Sequence, residues 1–158
     1  PERRLLKKLG CRSVCLGSFI PWDIKEQVEI IQKELGWKGD EVEGMPWSEY
    51  SYEKIECYMQ GMRDYIKFLK RGYSRVTQMT ALDRRNGRMT ENEARKLITE
   101  YEGKKPPSLE LFLKYLDLTE PEFNRIVEKT VVSPWKPELA GLSEAPKTHD
   151  FDKWFREV

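Results

Sequence analysis

Apolar positions in this chain recur with helical spacing over most of its length. Leu5, Leu6 and Leu9 predict a short helix over 2–9 that ends at Gly10. Ile24, Val28, Ile31 and Leu35 fall at i, i+4, i+7 and i+11, on one face of a helix opened at Asp23 and stopped at Gly36. Asp23 and Glu26 have the spacing of a capping box. Ile55, Met59, Met62, Ile66 and Leu69 make the stripe of a longer helix over 52–71, ended by Gly72. A further helix is predicted over 74–85, broken by Asn86-Gly87. Thr90-x-x-Glu93 opens another that runs to Tyr101, and Ser108 is placed to cap one over 109–116. Thr119-x-x-Glu122 opens the last, with Pro121 tolerated in its first turn.

One segment departs from this spacing. Residues 13–20 are small and apolar between Gly10 and Pro21, which reads as a buried strand. A single strand cannot satisfy its own backbone groups, so it is expected to pair with a sheet outside this chain. The expected fold is therefore mainly α, with one N-terminal strand followed by a helical C-terminal region. The expected organisation is a strand plus helix over 1–36, a helical domain over 37–132 and a proline-rich tail over 133–158.

Composition narrows the function classes. The chain has 158 residues, about one domain, with 28 Lys+Arg against 27 Asp+Glu and a net charge of +1. That balance argues against a general nucleic-acid binder, which needs a net basic field. The low mean hydropathy of −0.72 is offset by five Trp, seven Tyr and six Phe, so a folded domain is expected rather than disorder. Three cysteines give no disulfide framework and point to a reducing, cytoplasmic setting. Cys11 and Cys15 carry no assigned role, and one histidine does not complete a four-ligand zinc site. No apolar run approaches the roughly 20 residues of a membrane span, and no membrane partner is expected. The opening Pro1, without a methionine, reads as the interior of a longer protein.

Charge within the helices supplies the candidate chemistry. Arg63, Lys67, Lys70, Arg71 and Arg75 place five cations in thirteen residues, interleaved with Tyr65, Phe68 and Tyr73. Positions 63, 67 and 70 or 71 share one helix face. One reading is a solvated face matched to the helix dipole. The other is an anion pocket in which arginines supply bidentate contacts to phosphate or carboxylate. Arg75, beyond the Gly72 turn, is the member least explained by helix electrostatics. Arg84, beside Asp83 and Arg88 at the Asn86-Gly87 turn, is a second candidate anion ligand, against a plain polar turn. Asp23 lies where strand passes to helix, a common ligand position in α/β sheets, and is equally a plain cap. Cys57 is either a small core residue or a metal or redox ligand completed by another segment. The sequence contains no glycine-rich phosphate loop and no G-x-S-x-G or H-E-x-x-H motif.

Several segments occur together in a recognisable order. They are Gly17-Ser18-Phe19-Ile20-Pro21-Trp22-Asp23, then Ile55-Glu56-Cys57-Tyr58-Met59-Gln60-Gly61-Met62-Arg63-Asp64-Tyr65 and Lys70-Arg71-Gly72-Tyr73-Ser74-Arg75. Arg85-Asn86-Gly87-Arg88-Met89-Thr90 and Pro107-Ser108-Leu109-Glu110-Leu111-Phe112-Leu113 follow. Over residues 14–130 the chain resembles the C-terminal half of the N-acetyl sugar amidotransferase family. The resemblance implies an enzyme of the PP-loop pyrophosphatase type, with 1–36 as the end of its nucleotide-binding sheet. Such enzymes use ATP with Mg to activate the N-acetyl group of a nucleotide sugar or sialic-acid-like sugar. Ammonia from a glutaminase subunit then gives an acetamidino group for surface polysaccharide. Arg63, Lys70, Arg71, Arg75, Arg84 and Asp23 would contact substrate or phosphate. The family's S-G-G-K-D-S loop has no counterpart here, so the chain alone is expected to be inactive. An alternative is a helical module that docks a glutaminase or another acidic partner.

Overall fold

The structure is a computed structural model and describes residues 2–53 and 57–137. The elements are α1 (Glu2–Lys8), one 3-10 turn (Leu16–Ser18), α2 (Ile24–Leu35), α3 (Trp47–Tyr50), α4 (Gln60–Arg71), α5 (Arg75–Arg85), α6 (Glu91–Tyr101), α7 (Leu109–Leu116) and α8 (Glu120–Glu128). The fold is mainly α, as the spacing predicts, and there is no strand among the described residues. None of their helices is long and apolar enough to cross a membrane.

The strand expected over 13–20 is not formed. Its residues are exposed, and the backbone closes on itself: the amides of Ser18 and Phe19 donate to Cys15 and Leu16 carbonyls, each at 2.9 Å. Without a neighbouring strand, these short-range bonds satisfy groups that a ladder would otherwise pair.

The chain divides into two compact units, 1–38 and 39–158. In the first, Asp23 caps α2 by accepting a bond from the Lys25 amide at 2.9 Å, and Gly36 closes it in a left-handed conformation. The second holds two core clusters. Met62, Tyr65 and Leu69 of α4 pack with Leu109 of α7 and with Phe123 and Val127 of α8. Positions 62, 65 and 69, with partly buried Ile66, make the i, i+3, i+4, i+7 stripe of an amphipathic helix. Val42, Met45 and Tyr50 pack with Val76 and Met79 of α5, covered by Tyr52 and by Leu97, Ile98 and Tyr101 of α6.

Helix α4 begins later than its pattern predicts. Tyr52 and Glu53 lie in a turn, and residues 54–56, with Ile55 of the expected stripe, are outside the described residues. Tyr50 is bonded to Asp83, Tyr52 packs on the cluster that includes Val76 and Met79 of α5, and Glu53 is paired with Arg75. These long-range contacts hold 50–53 off the line of the helix. Of the three capping-box spacings, those at Thr90/Glu93 and Thr119/Glu122 form, while Asp23 caps α2 through the Lys25 amide and makes no box with Glu26. Ser108 does not cap α7 with its side chain. Its amide and hydroxyl both donate to the Glu43 carboxylate. Of the expected tail, 133–137 are described and the terminal aromatic segment lies outside the described residues.

Candidate cation-rich helix terminus

The apolar stripe of α4 fixes which way its cations point. With Met62, Tyr65 and Leu69 in the core, Arg63, Lys67, Lys70 and Arg71 fall on the outer side, and Arg63 and Arg71 are exposed. Lys67 donates to Gln78 Oε1 at 2.6 Å, and its ammonium lies 5.4 Å from the centre of the Tyr73 ring. Among the described residues no carboxylate pairs with Arg63, Lys70 or Arg71. Lys70 and Arg71 occupy the last turn of α4, where the helix dipole favours positive charge.

Arg75 is differently placed. It is the first residue of α5, its side chain is 18% exposed, and its Nη1 donates to Glu53 at 2.9 Å. Its Nε lies 3.7 Å from Asp64, too far for a hydrogen bond, and is buried without a partner. Asp64 also accepts from the Gln60 side chain at 3.1 Å. The charge that helix electrostatics could not explain is answered by two carboxylates from other parts of the fold. Arg84 is paired with Glu91 at 3.1 Å. Arg75 and Arg84 sit at opposite ends of α5, nine residues or roughly 13 Å apart along its axis. The fold thus brings Lys70, Arg71 and Arg75 to one interhelical turn, with Arg63 two turns back on the same face. It sends Arg84 to the far end and places Asp23 in the first unit as the α2 cap.

Three acidic side chains, Glu43, Glu102 and Asp83, tie distant segments of the second unit together, and periodicity gave no sign of them. Glu43 is only 2% exposed and accepts from the Ser108 amide at 2.8 Å as well as from its hydroxyl. Gly61 makes this possible, because a Cβ there would lie 2.3 Å from the Glu43 carboxylate. Glu102 binds the start of α5, accepting from the Thr77 amide at 2.9 Å and from its hydroxyl. Asp83 accepts from the Tyr50 hydroxyl at 2.9 Å and from Arg88 Nε at 3.0 Å. Burial and the adjacent Asp83 charge push the Tyr50 phenol well above its usual range, and burial pushes Tyr65 up to about 12. Both hydroxyls stay neutral at physiological pH.

Glu43, Asp64, Tyr65, Ser74, Tyr101 and Lys104 line a polar cleft with ≈ 20 Å³ of free space. That is room for about one water, not a sugar. Cys57 is an exposed free thiol, and among the described residues no three His, Cys, Asp or Glu side chains gather as a metal site.

Over residues 46–154, well over half its length, the chain matches the family described as LPS biosynthesis protein WbpG-like, C-terminal domain. Neither the curated proteins nor the solved structures give a match.

Proposed function

Because the chain belongs to the WbpG-like C-terminal domain family of lipopolysaccharide biosynthesis proteins, we propose that it is the substrate-side helical part of a sugar amidotransferase. The full enzyme would convert the N-acetyl group of a nucleotide sugar or sialic-acid-like sugar to an acetamidino group. In the overall reaction the amide oxygen leaves with AMP, pyrophosphate is released, and ammonia from a glutaminase supplies the incoming nitrogen. Both the order and spacing of the resembling segments and the polysaccharide pathway of the matched family support this reading. The cytoplasm, where ATP and nucleotide sugars are made, is the compartment that fits it.

One structural observation carries the role assigned to this chain. The outer face of α4 holds Arg63, Lys70 and Arg71 with no pairing carboxylate among the described residues, while Arg75 and Arg84 have theirs. Uncompensated guanidinium and ammonium groups beside an ordered turn suit a diphosphate or a sugar carboxylate. Arg75 then acts as an internal strut that sets the start of α5. The described residues supply no clustered donor set for an ATP·Mg site, and the sequence has no glycine-rich phosphate loop. The work of this chain is to bind and orient the anionic substrate, and ATP activation falls to a phosphate loop elsewhere in the enzyme.

The direct test is product analysis on the full-length enzyme with UDP-N-acetylglucosamine, ATP and ammonia, read by mass spectrometry. Exchange of the acetamido oxygen for nitrogen, with AMP formed in equal amount, is the expected result for an accepted sugar. AMP without nitrogen transfer, across a panel of N-acetyl nucleotide and sialic-acid-like sugars, would defeat the proposal. Tight binding of a glutaminase to the α4 face, with no sugar bound there, would favour the docking-module alternative.

A further inference from the structure

A helix leaves its last carbonyls without internal partners, and α4 finds two of its partners far along the chain. The Phe68 carbonyl accepts from the Gly72 amide at 2.7 Å, the usual local closure. The next two are met from beyond α8. The indole Nε1 of Trp135 donates to the Leu69 carbonyl at 3.0 Å, and the Val132 amide donates to the Lys70 carbonyl at 2.8 Å. The same indole meets Phe68 edge to face, with ring centres 5.5 Å apart. It also lies against Gly72, where a Cβ would stand 2.7 Å from the ring. Gly72 has φ 79°, so the turn needs glycine both for its backbone and for the space Trp135 fills. Every one of these contacts falls on 68–72, the residues that aim Lys70 and Arg71 outward and lead to Arg75.

We propose that Trp135 is a positioning residue. It latches segment 132–137 over the end of α4 and holds the Lys70–Arg71–Gly72 turn in the conformation that receives the anionic substrate. The substrate part of this proposal rests on the function proposed above; the latch itself does not. Two bonds and a ring contact from a single segment restrain the turn from outside the helix, where α4's own ladder has ended. Loss of the indole N–H frees the Leu69 carbonyl and loosens the turn without removing a core side chain.

The test compares wild type with Trp135→Phe, which keeps a ring on Phe68 and Gly72 and removes the donor. Amide hydrogen exchange is expected to quicken about tenfold at Gly72 and Val132 and to stay unchanged in α6 and α7. Titration with UDP-N-acetylglucosamine is expected to give about fivefold weaker binding, the loss of one hydrogen bond's worth of restraint. Unchanged exchange at Gly72 and Val132, or equally faster exchange throughout, would overturn the latch. Local loosening with unaltered affinity would overturn the positioning role. Wild-type protein carrying 5-fluorotryptophan supplies a readout free of variant stability: the Trp135 resonance should move as the nucleotide sugar saturates. A stationary resonance at saturation contradicts the coupling. If wild type binds no nucleotide or sialic-acid-like sugar, the functional reading and the substrate half of this proposal fail together, and the exchange data still decide the latch.

Discussion

The residues that organise the second unit are charged or phenolic and pair across long stretches of sequence. Asp83, 1% exposed, joins Tyr50 to Arg88, and Glu43 reaches Ser108 from 65 positions away. Removing one partner of such a buried group leaves the others unsatisfied. Asp83→Ala is expected to cost about 2–4 kcal/mol in urea unfolding, with Arg84→Ala close to neutral. Equal midpoints for the two variants would contradict the network. The tyrosines set an alkaline limit. Tyr65 rises from 10.0 to about 12 in the folded protein, so its contribution is complete below pH 10 and is lost as pH rises through 12. Stability should fall across that window, and Tyr65→Phe should make the fall shallower; parallel pH profiles for the two proteins would rule this out. At this scale the sequence was legible only where partners are local. The face of Arg63, Lys67 and Arg71 follows from spacing, whereas the counter-ions of Arg75 come from positions 53 and 64 and have no signature in periodicity.

At the scale of elements, capping chemistry was the most legible feature and strand pairing the least. Thr90 and Thr119 each open a helix with a reciprocal bond to the glutamate three residues on, and those bonds hold the Glu93 and Glu122 carboxyls below their usual range. Thr90→Ala should cost about 1 kcal/mol in thermal or denaturant melts, with helix α6 fraying first in hydrogen exchange; an unchanged melt would show that the cap is idle. Ser108 had the same local look and a different role, because Glu43 competes for its amide and hydroxyl. The 13–20 segment has a strand's composition and no strand to pair with among the described residues, which composition cannot report. The expected start of α4 near 52 failed for a related reason: Tyr50 and Glu53 are held by partners on α5, and Tyr52 packs on the cluster that includes Val76 and Met79. Trp135 gave no sequence signal either, since its value lies in a carbonyl 66 positions earlier.

For the whole molecule, a net charge of +1 conceals an uneven layout. Acidic groups are drawn inward to Glu43, Asp64 and Asp83, and the cations on α4 are left facing out without pairing carboxylates among the described residues. The mainly helical class was legible from periodicity, and membership of a lipopolysaccharide biosynthesis family agrees with the ordered segments that first suggested a sugar enzyme. The activity itself rests on whether the outer face of α4 binds an anionic sugar. Isothermal titration of the full-length enzyme with UDP-N-acetylglucosamine, comparing wild type with Arg71→Ala and with Arg95→Ala, tests that most directly. Arg71→Ala is expected to bind about tenfold more weakly, the loss of one charge-assisted contact, and Arg95→Ala, whose guanidinium is paired with Glu91 on α6, to keep wild-type affinity. Measurable wild-type binding with equal affinity in all three proteins would contradict this expectation.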